Sequence, residues 1–88
     1  MADQHYTLWI KSHCPFCIKA KNELDRRKLD YTVYVMDGKP DQLDATKKAF
    51  NHPTVPIIVI QELNEEVLIG GYTDLLTRFE KQREEQSD

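Results

Sequence analysis

Apolar and polar residues follow two alternating periodicities along this chain, one typical of strands and one typical of helices. Four short runs are rich in β-branched and aromatic residues, as strands are. They cover residues 6–11, 31–36, 57–60 and 66–69. The third run is continuously apolar, which predicts a strand buried on both faces. The polar stretch between the last two runs is short, which predicts a hairpin.

Three further segments have apolar residues at helical spacing. The first begins at Pro15, because proline suits the first helical position, and ends near residues 27–28. Its buried stripe is predicted to consist of Cys17, Ala20 and Leu24. The second covers residues 41–50 and is predicted to be capped by Asp41. Its inner face is predicted to hold Leu43, Thr46, Ala49 and Phe50.

The third helix follows a pair of glycines, with Leu75, Leu76 and Phe79 predicted to face inward. Residues 80–88 are almost wholly polar, and we expect them to fray. The resulting order is β-α-β-α-β-β-α. A β-α-β unit implies a parallel strand pair with a right-handed crossover. The sequence therefore predicts an α/β fold with a four-stranded mixed sheet flanked by three helices.

Length and composition limit the organisation of the chain. Its 88 residues suit one domain, residues 1–88, and 40% of them are hydrophobic. The longest apolar run has six residues, far below the roughly 20 that a membrane span needs. The segment from Met1 to His5 has neither the charge nor the apolar run of a secretory signal. We therefore expect a cytoplasmic protein without a membrane partner.

Charge is unevenly distributed. The net charge of −3 argues against nucleic acid as a partner. Residues 9–28, however, hold six Lys or Arg against two acidic residues, and this basic segment contains both cysteines. One interpretation is an ordinary solvated helix face. The other is a basic rim that stabilises a thiolate or attracts an anionic small molecule.

The motif Cys14-Pro15-Phe16-Cys17 lies between a predicted strand and a predicted helix, a context typical of redox motifs. Unpaired N–H groups at a helix start stabilise a thiolate, and reactive cysteines in such motifs have pKa values of about 3.5–7.5. Cys14 is thus the predicted nucleophile and Cys17 the resolving thiol. A zinc site would need further ligands from His5, His13 and His52, whose spacing matches no familiar pattern. A pair of inert core cysteines is the other alternative.

Two further segments have both a structural and a functional interpretation. Thr54-Val55-Pro56 precedes the third strand, where a trans proline is ordinary. A cis bond would instead turn the Val55 backbone outward, toward an extended peptide. Gly70-Gly71-Tyr72-Thr73-Asp74 precedes the last helix. One interpretation makes Thr73 a plain helix cap. The other makes the helix start and Asp74 a site for a carboxylate and an ammonium group.

Together these three segments resemble the glutaredoxin family of dithiol type, and the resemblance extends from Tyr6 to Phe79. It implies a thioredoxin-like fold and a cis bond before Pro56. It also implies that Cys14 and Cys17 are a catalytic redox pair. The glutathione-binding residues that it implies are Lys11, Phe16, Thr54, Val55, Pro56, Gly71, Tyr72, Thr73 and Asp74.

This chain departs from the family pattern in two places. Phe16 stands where a tyrosine is usual, which removes one hydroxyl but keeps the stacking surface. Pro53 stands where many members have a basic residue, which leaves the second anchor for the glycine carboxylate open; Lys47 and Lys48 are candidates. The tryptophan-containing motif of thioredoxins is absent.

The resemblance implies a glutathione-dependent thiol-disulfide oxidoreductase that reduces protein disulfides and glutathione mixed disulfides. Its expected partners are glutathione as co-substrate and disulfide-containing or glutathionylated proteins, with no metal and a monomeric state. Two alternatives stay open at this point. One is an iron–sulfur scaffold or carrier in which Cys14 and glutathione ligate the cluster. The other is an electron donor reduced by thioredoxin reductase.

Overall fold

The structure is a computed structural model that describes the backbone of residues 4–86 and the side chains of residues 4–81. Seven elements follow one another in the predicted order, β-α-β-α-β-β-α. They are β1 (Gln4–Ile10), α1 (Pro15–Arg26), β2 (Tyr31–Val35), α2 (Pro40–Phe50), β3 (Ile57–Glu62), β4 (Glu65–Gly70) and α3 (Tyr72–Gln86). The predictions made above for residues 1–3 and 87–88 concern positions outside the described residues.

The four strands form one mixed sheet in the order β2-β1-β3-β4. Strands β1 and β2 are parallel, with Tyr6 opposite Tyr31, and α1 is the crossover between them. Strand β3 is antiparallel to both β1 and β4. The predicted hairpin is confirmed, and its two-residue turn at Leu63 and Asn64 has positive φ angles of 49° and 71°.

Helices cover both faces of the sheet, as predicted. The larger core lies between the sheet and the helices α1 and α3. Its fully or almost fully buried members are Tyr6, Leu8, Ile10, Cys17, Ala20, Leu24, Ile58, Ile60, Leu75 and Phe79. The smaller core on the α2 side consists of Met36, Leu43 and Ile57, with Trp9 and Phe50 packed against it. All four residues of the apolar run 57–60 are fully buried, which confirms the prediction for β3.

Helix α2 ends at Phe50 as predicted but differs from its prediction at its start and on its inner face. It begins at Pro40, and its N-cap residue, Lys39, makes no side-chain capping hydrogen bond. Asp41 is therefore not the cap; it lies in the first turn, where a carboxylate complements the helix dipole. Proline at the first helical position has no N–H, which leaves one unpaired donor fewer at this helix start. Ala49 is exposed, so the predicted inner face is narrower than expected.

Helix α3 is longer than the inward-facing residues alone indicated. Leu75 and Phe79 are buried as predicted, whereas Leu76 is only partly buried. The helical backbone continues to Gln86 and so includes most of the segment that was expected to fray. Within residues 4–86, no helix has both the length and the apolar character that crossing a membrane requires.

Candidate active site

Cys14 is the N-cap residue of α1. Its backbone is extended, at φ −91° and ψ 113°, and its carbonyl accepts the first helical hydrogen bond, from the Ile18 N–H at 3.1 Å. The Cys17 N–H donates to the Cys14 Sγ at 3.2 Å. Sulfur thus occupies the position that a serine or aspartate oxygen has in an ordinary cap. An N–H donor and the positive end of the helix dipole both stabilise this sulfur as a thiolate.

Cys17 lies one turn further along α1 in a different environment. Its side chain is fully buried in the larger core, whereas Cys14 is partly exposed. Burial, reinforced by the interaction with Cys14, raises the pKa of the Cys17 thiol to about 12. Cys17 is therefore a protonated thiol at neutral pH. The exposed sulfur suits attack on a disulfide, and the buried one suits a later, intramolecular step.

The loop before β3 brings backbone next to the nucleophile. The peptide bond between Val55 and Pro56 is cis, as the family resemblance implied. The Val55 carbonyl oxygen lies 3.9 Å from the Cys14 Sγ, within reach of a weak thiol hydrogen bond. Val55 is partly exposed and Pro56 is buried. The Val55 backbone thus lies beside the sulfur, where a bound peptide could pair with it.

The start of α3 forms the opposite side of the site. The Leu75 N–H donates to the Gly71 carbonyl at 3.0 Å, so Gly71 is the N-cap residue. Interpreting Thr73 as the cap is therefore wrong; it lies exposed in the first turn. The cap is closed by Asp74, whose Oδ2 accepts the Gly71 N–H at 2.9 Å. This reciprocal bond is the carboxylate half of a capping box.

Two aromatic rings connect the starts of α1 and α3. Phe16 and Tyr72 stack with their ring centroids 6.1 Å apart and their planes 30° apart. The Phe16 side chain is 55% exposed, and the Lys19 ammonium lies 5.4 Å from its ring centroid. The stack, with Phe16 exposed and Tyr72 partly buried, therefore joins the start of α1, where Cys14 lies, to the start of α3. The missing hydroxyl at position 16 does not prevent this stacking.

The structure brings most of the predicted site residues together. Contacts link Cys14 to Val55 and Phe16 to Tyr72, and a Cβ on Gly71 would lie 3.9 Å from the Pro56 carbonyl oxygen. Lys11 is exposed in the connector three residues before Cys14, and its carbonyl accepts the Cys14 N–H at 3.2 Å. Within residues 4–81, the Lys11 side chain makes no hydrogen bond.

His52 is the residue near this site that sequence reasoning did not place there; it was considered only as a zinc ligand. Its Nε2 lies 3.4 Å from the Thr54 Oγ1 and 4.0 Å from the position of a Cβ on Gly71. Asn51, at φ 52°, ends α2, and the His52 N–H donates to the Lys47 carbonyl at 2.9 Å, which fixes the backbone there. The sequence signal that could have identified His52 is a basic side chain four positions before Pro56.

The other candidates for that position lie on α2. Lys48 is paired with Asp44, 3.5 Å away, and its side chain is exposed. Lys47, Lys48 and His52 line one surface depression of about 410 Å³, and His52 in addition lies 3.4 Å from the Thr54 Oγ1. Among the described residues, no group of three or more His, Cys, Asp and Glu side chains is arranged to hold a metal ion.

Comparisons with known proteins agree with this geometry. The sequence model of the Glutaredoxin family matches residues 6–63, which is more than half of the chain. A protein of Pseudomonas aeruginosa named Glutaredoxin is 34% identical over 68 residues, covering 77% of this chain and 76% of that protein.

Solved structures are similar over most of the chain. The dithiolic glutaredoxin of Trypanosoma brucei brucei superposes with a TM-score of 0.68 at 29% identity, covering 88% of this chain and 78% of that one. Glutaredoxin 1 of Francisella tularensis, solved with cacodylate, gives a TM-score of 0.66 at 22% identity, covering 92% and 98%; at that identity it supports the fold alone. With a cysteine pair at a helix start beside a cis proline, and with these similarities, the chain belongs to the glutaredoxin family of thiol-disulfide oxidoreductases.

Proposed function

We propose that this protein is a glutathione-dependent oxidoreductase that reduces protein disulfides and glutathione mixed disulfides through Cys14 and Cys17. The observation that carries the proposal is the position of the Cys14 sulfur. It accepts an N–H at the start of α1 and lies 3.9 Å from the Val55 carbonyl, beside backbone that suits an extended peptide. A cytoplasmic location and a monomeric state stay predictions.

The reaction begins when the Cys14 thiolate attacks one sulfur of the substrate disulfide. A mixed disulfide with Cys14 forms, and the other substrate sulfur leaves as a thiolate that takes up a proton. The Cys17 thiol then loses its proton and attacks the Cys14 sulfur, which releases the second substrate thiol and leaves a Cys14–Cys17 disulfide. Two glutathione molecules reduce this bond in turn and depart as glutathione disulfide. A glutathione mixed disulfide can be reduced by Cys14 alone, with one further glutathione as the reductant.

The raised pKa of Cys17 orders these steps. At neutral pH only Cys14 has the helix-start environment that stabilises an anion, so Cys17 does not compete for the incoming disulfide. The two cysteines are three positions apart at the start of α1, which keeps their sulfurs on nearly the same face. The second thiol therefore reacts only after the first has formed a mixed disulfide.

The groups around Cys14 match the charges of glutathione, which has two carboxylates and one ammonium. The Val55 backbone would pair with its cysteine, and Lys11 would attract its glycine carboxylate. At the start of α3, Thr73 and backbone N–H groups would take the γ-glutamyl carboxylate, and Asp74 the ammonium. Asp74 is exposed, so it can contact a ligand while its Oδ2 still closes the helix.

His52 replaces Lys47 and Lys48 as our candidate for the second carboxylate anchor. Its ring lies between Thr54 and Gly71, on the same side as the proposed ligand groups. An imidazole can donate a hydrogen bond to a carboxylate in its neutral form and adds a positive charge when protonated.

The test is turnover of hydroxyethyl disulfide with glutathione, coupled to glutathione reductase. We expect turnover that disappears in the Cys14→Ser variant. Turnover that survives in this variant, or that requires thioredoxin reductase in place of glutathione, would contradict the proposal. Visible absorption of anaerobically purified protein tests the iron–sulfur alternative, and we expect none.

A further inference from the structure

The connector between β1 and α1, residues 11–13, carries Lys11 and leads directly into Cys14. Asp37, which lies in the turn after β2 and 25 positions beyond Ser12, binds this connector. The Ser12 N–H donates to the Asp37 Oδ1 at 3.0 Å, and the Ser12 hydroxyl donates to the Asp37 Oδ2. Both carboxylate oxygens are thus used to hold one residue of the connector.

Other contacts fix only the ends of this connector. The Met36 N–H donates to the Ile10 carbonyl at 2.8 Å, which continues the β1–β2 pairing up to the start of the connector. The Cys14 N–H donates to the Lys11 carbonyl at its far end. All three connector residues are exposed, and the two bonds to Asp37 are the side-chain hydrogen bonds that the described residues provide for it. Without Asp37, the segment before the nucleophile would be tied only at its ends.

Asp37 also lies in the field of the connector's cations. The hydrogen bonds from Ser12 hold the pKa of its carboxyl below the usual range, and the charges of His13 and Lys11 lower it further. The carboxylate is therefore charged at neutral pH and offsets part of the positive charge around Lys11. An incoming carboxylate would meet less attraction at Lys11 than the lysine alone would provide.

We propose that Asp37 is a positioning residue of the thiol site: through Ser12 it holds the connector that carries Lys11 and Cys14, and its charge moderates the attraction of Lys11 for an anionic substrate. The first half concerns Cys14 alone. The second half rests on the proposed glutathione function. Asp37 contacts no reacting atom, so both effects are exerted through its neighbours.

Two substitutions separate the two effects. Asp37→Asn removes the charge but keeps an oxygen that accepts the Ser12 N–H, whereas Asp37→Ala removes both. The rate of Cys14 with a neutral small disulfide, dithiodipyridine, measures positioning without glutathione. Because misplacing a reacting group costs rate, we expect Asp37→Ala to react about fivefold more slowly than Asp37→Asn. Equal rates for the two variants would overturn the positioning role.

The charge effect is measured with a glutathionylated peptide. We expect Asp37→Asn to lower the KM about twofold relative to the parent protein with kcat unchanged, as for loss of one exposed charge interaction. Asp41→Asn, an exposed carboxylate four residues along the chain, is the matched control and should leave KM unchanged. An equal fall in KM for Asp41→Asn, or none for Asp37→Asn, would overturn the charge effect.

Two further measurements exclude a merely structural explanation. Ser12→Ala removes the hydroxyl bond, and combining it with Asp37→Ala should slow Cys14 by less than the product of the two single effects, since the residues act together. Melting temperatures show whether the variants are folded at the assay temperature. If the parent protein shows no glutathione turnover, the proposed function fails, but the rate ratio between the Ala and Asn variants still decides the positioning role.

Discussion

Helices α1 and α3 begin on either side of one aromatic stack, yet their first turns are satisfied in different ways. At α1, the free N–H of Cys17 is taken by the sulfur of Cys14. At α3, the N-cap N–H of Gly71 is taken by a carboxylate of the same helix, Asp74. The Cys14 sulfur is therefore itself the capping atom at α1. At α3 the N-cap residue is Gly71, and the Asp74 carboxylate binds its N–H.

Under the proposed function, this difference would divide the work of the site. A sulfur that closes a helix start is stabilised when it ionises, so α1 would supply the nucleophile. A carboxylate that closes a helix start leaves the remaining N–H groups for an anion and adds a partner for a cation, so α3 would supply binding. Changes at α1 should therefore alter rate, and changes at α3 should alter affinity or stability.

The strongest test of this division is Cys14→Ser. A hydroxyl can still cap α1, because serine is a good N-cap residue, but it is a far weaker nucleophile than a thiolate. We expect the melting temperature to stay close to that of the parent protein and all reductase activity to fall by roughly a thousandfold or more. Activity within tenfold of the parent would show that α1 does not supply the nucleophile.

Cys17→Ala should split the two activities. The variant keeps Cys14 and its cap, because the backbone N–H at position 17 remains. We expect reduction of glutathione mixed disulfides within about twofold of the parent rate and reduction of protein disulfides lower by about a hundredfold. Parallel assays with a glutathionylated peptide and a disulfide-bonded protein measure the split; equal losses in both would contradict the resolving role.

The glycine pair tests the start of α3. Gly70 has φ 118°, and a Cβ there would overlap the Asp74 Oδ2, so Gly70→Ala both strains the backbone and pushes the Asp74 carboxylate aside. We expect a loss of about 2 kcal/mol in the free energy of unfolding, measured with urea. Gly71→Ala is the control, since its Cβ would meet nothing closer than 3.9 Å, and should cost less than about 1 kcal/mol. Equal costs would refute the conformational argument.

Asp74 separates capping from binding. Asp74→Asn keeps an oxygen for the Gly71 N–H, whereas Asp74→Ala removes the cap and costs about 0.5–1 kcal/mol of stability. Both variants remove the charge, so we expect both to raise the KM for glutathionylated peptides about fivefold with kcat little changed. An unchanged KM in both variants would remove Asp74 from the binding site.

The smallest effect at neutral pH concerns the buried thiol. The pKa of Cys17 is raised from 9.0 to about 12 in the folded protein, so its protonated form stabilises the native state fully below pH 9. This contribution is lost as pH rises from 9 to 12. Cys17→Ala should therefore lose less stability than the parent protein over that range, measured by urea unfolding at several pH values. Parallel profiles would contradict the raised pKa.

Local pattern accounts for the parts of the fold that were predicted correctly. The four strands, the three helices and their order follow from periodicity, which burial on a single face imposes. The redox motif is contained in four consecutive residues, so its position at a helix start was visible from Pro15 onward. The predicted cap at Asp41 was wrong because Pro40 already begins α2, and local rules alone do not rank two adjacent start signals.

Local sequence pattern did not predict the contacts of His52, Asp37 and Asp74. His52 reaches Gly71, Asp37 reaches Ser12, and each pair joins residues about 20 or more positions apart. No periodicity records such a pair, because the chain approaches itself there only after the sheet has formed. Asp74 shows the limit at short range, since its sequence position fits both a helix cap and a ligand contact.

The sequence alone determined the element order, the single layered α/β arrangement and the position of the cysteine pair at a helix start, because these depend on the spacing of side chains along one segment. Tertiary structure decided which backbone lies beside that sulfur, which basic ring approaches the start of α3, and how far burial suppresses ionisation of the second thiol. These depend on distances through space, and such distances are set by how the sheet and helices pack together.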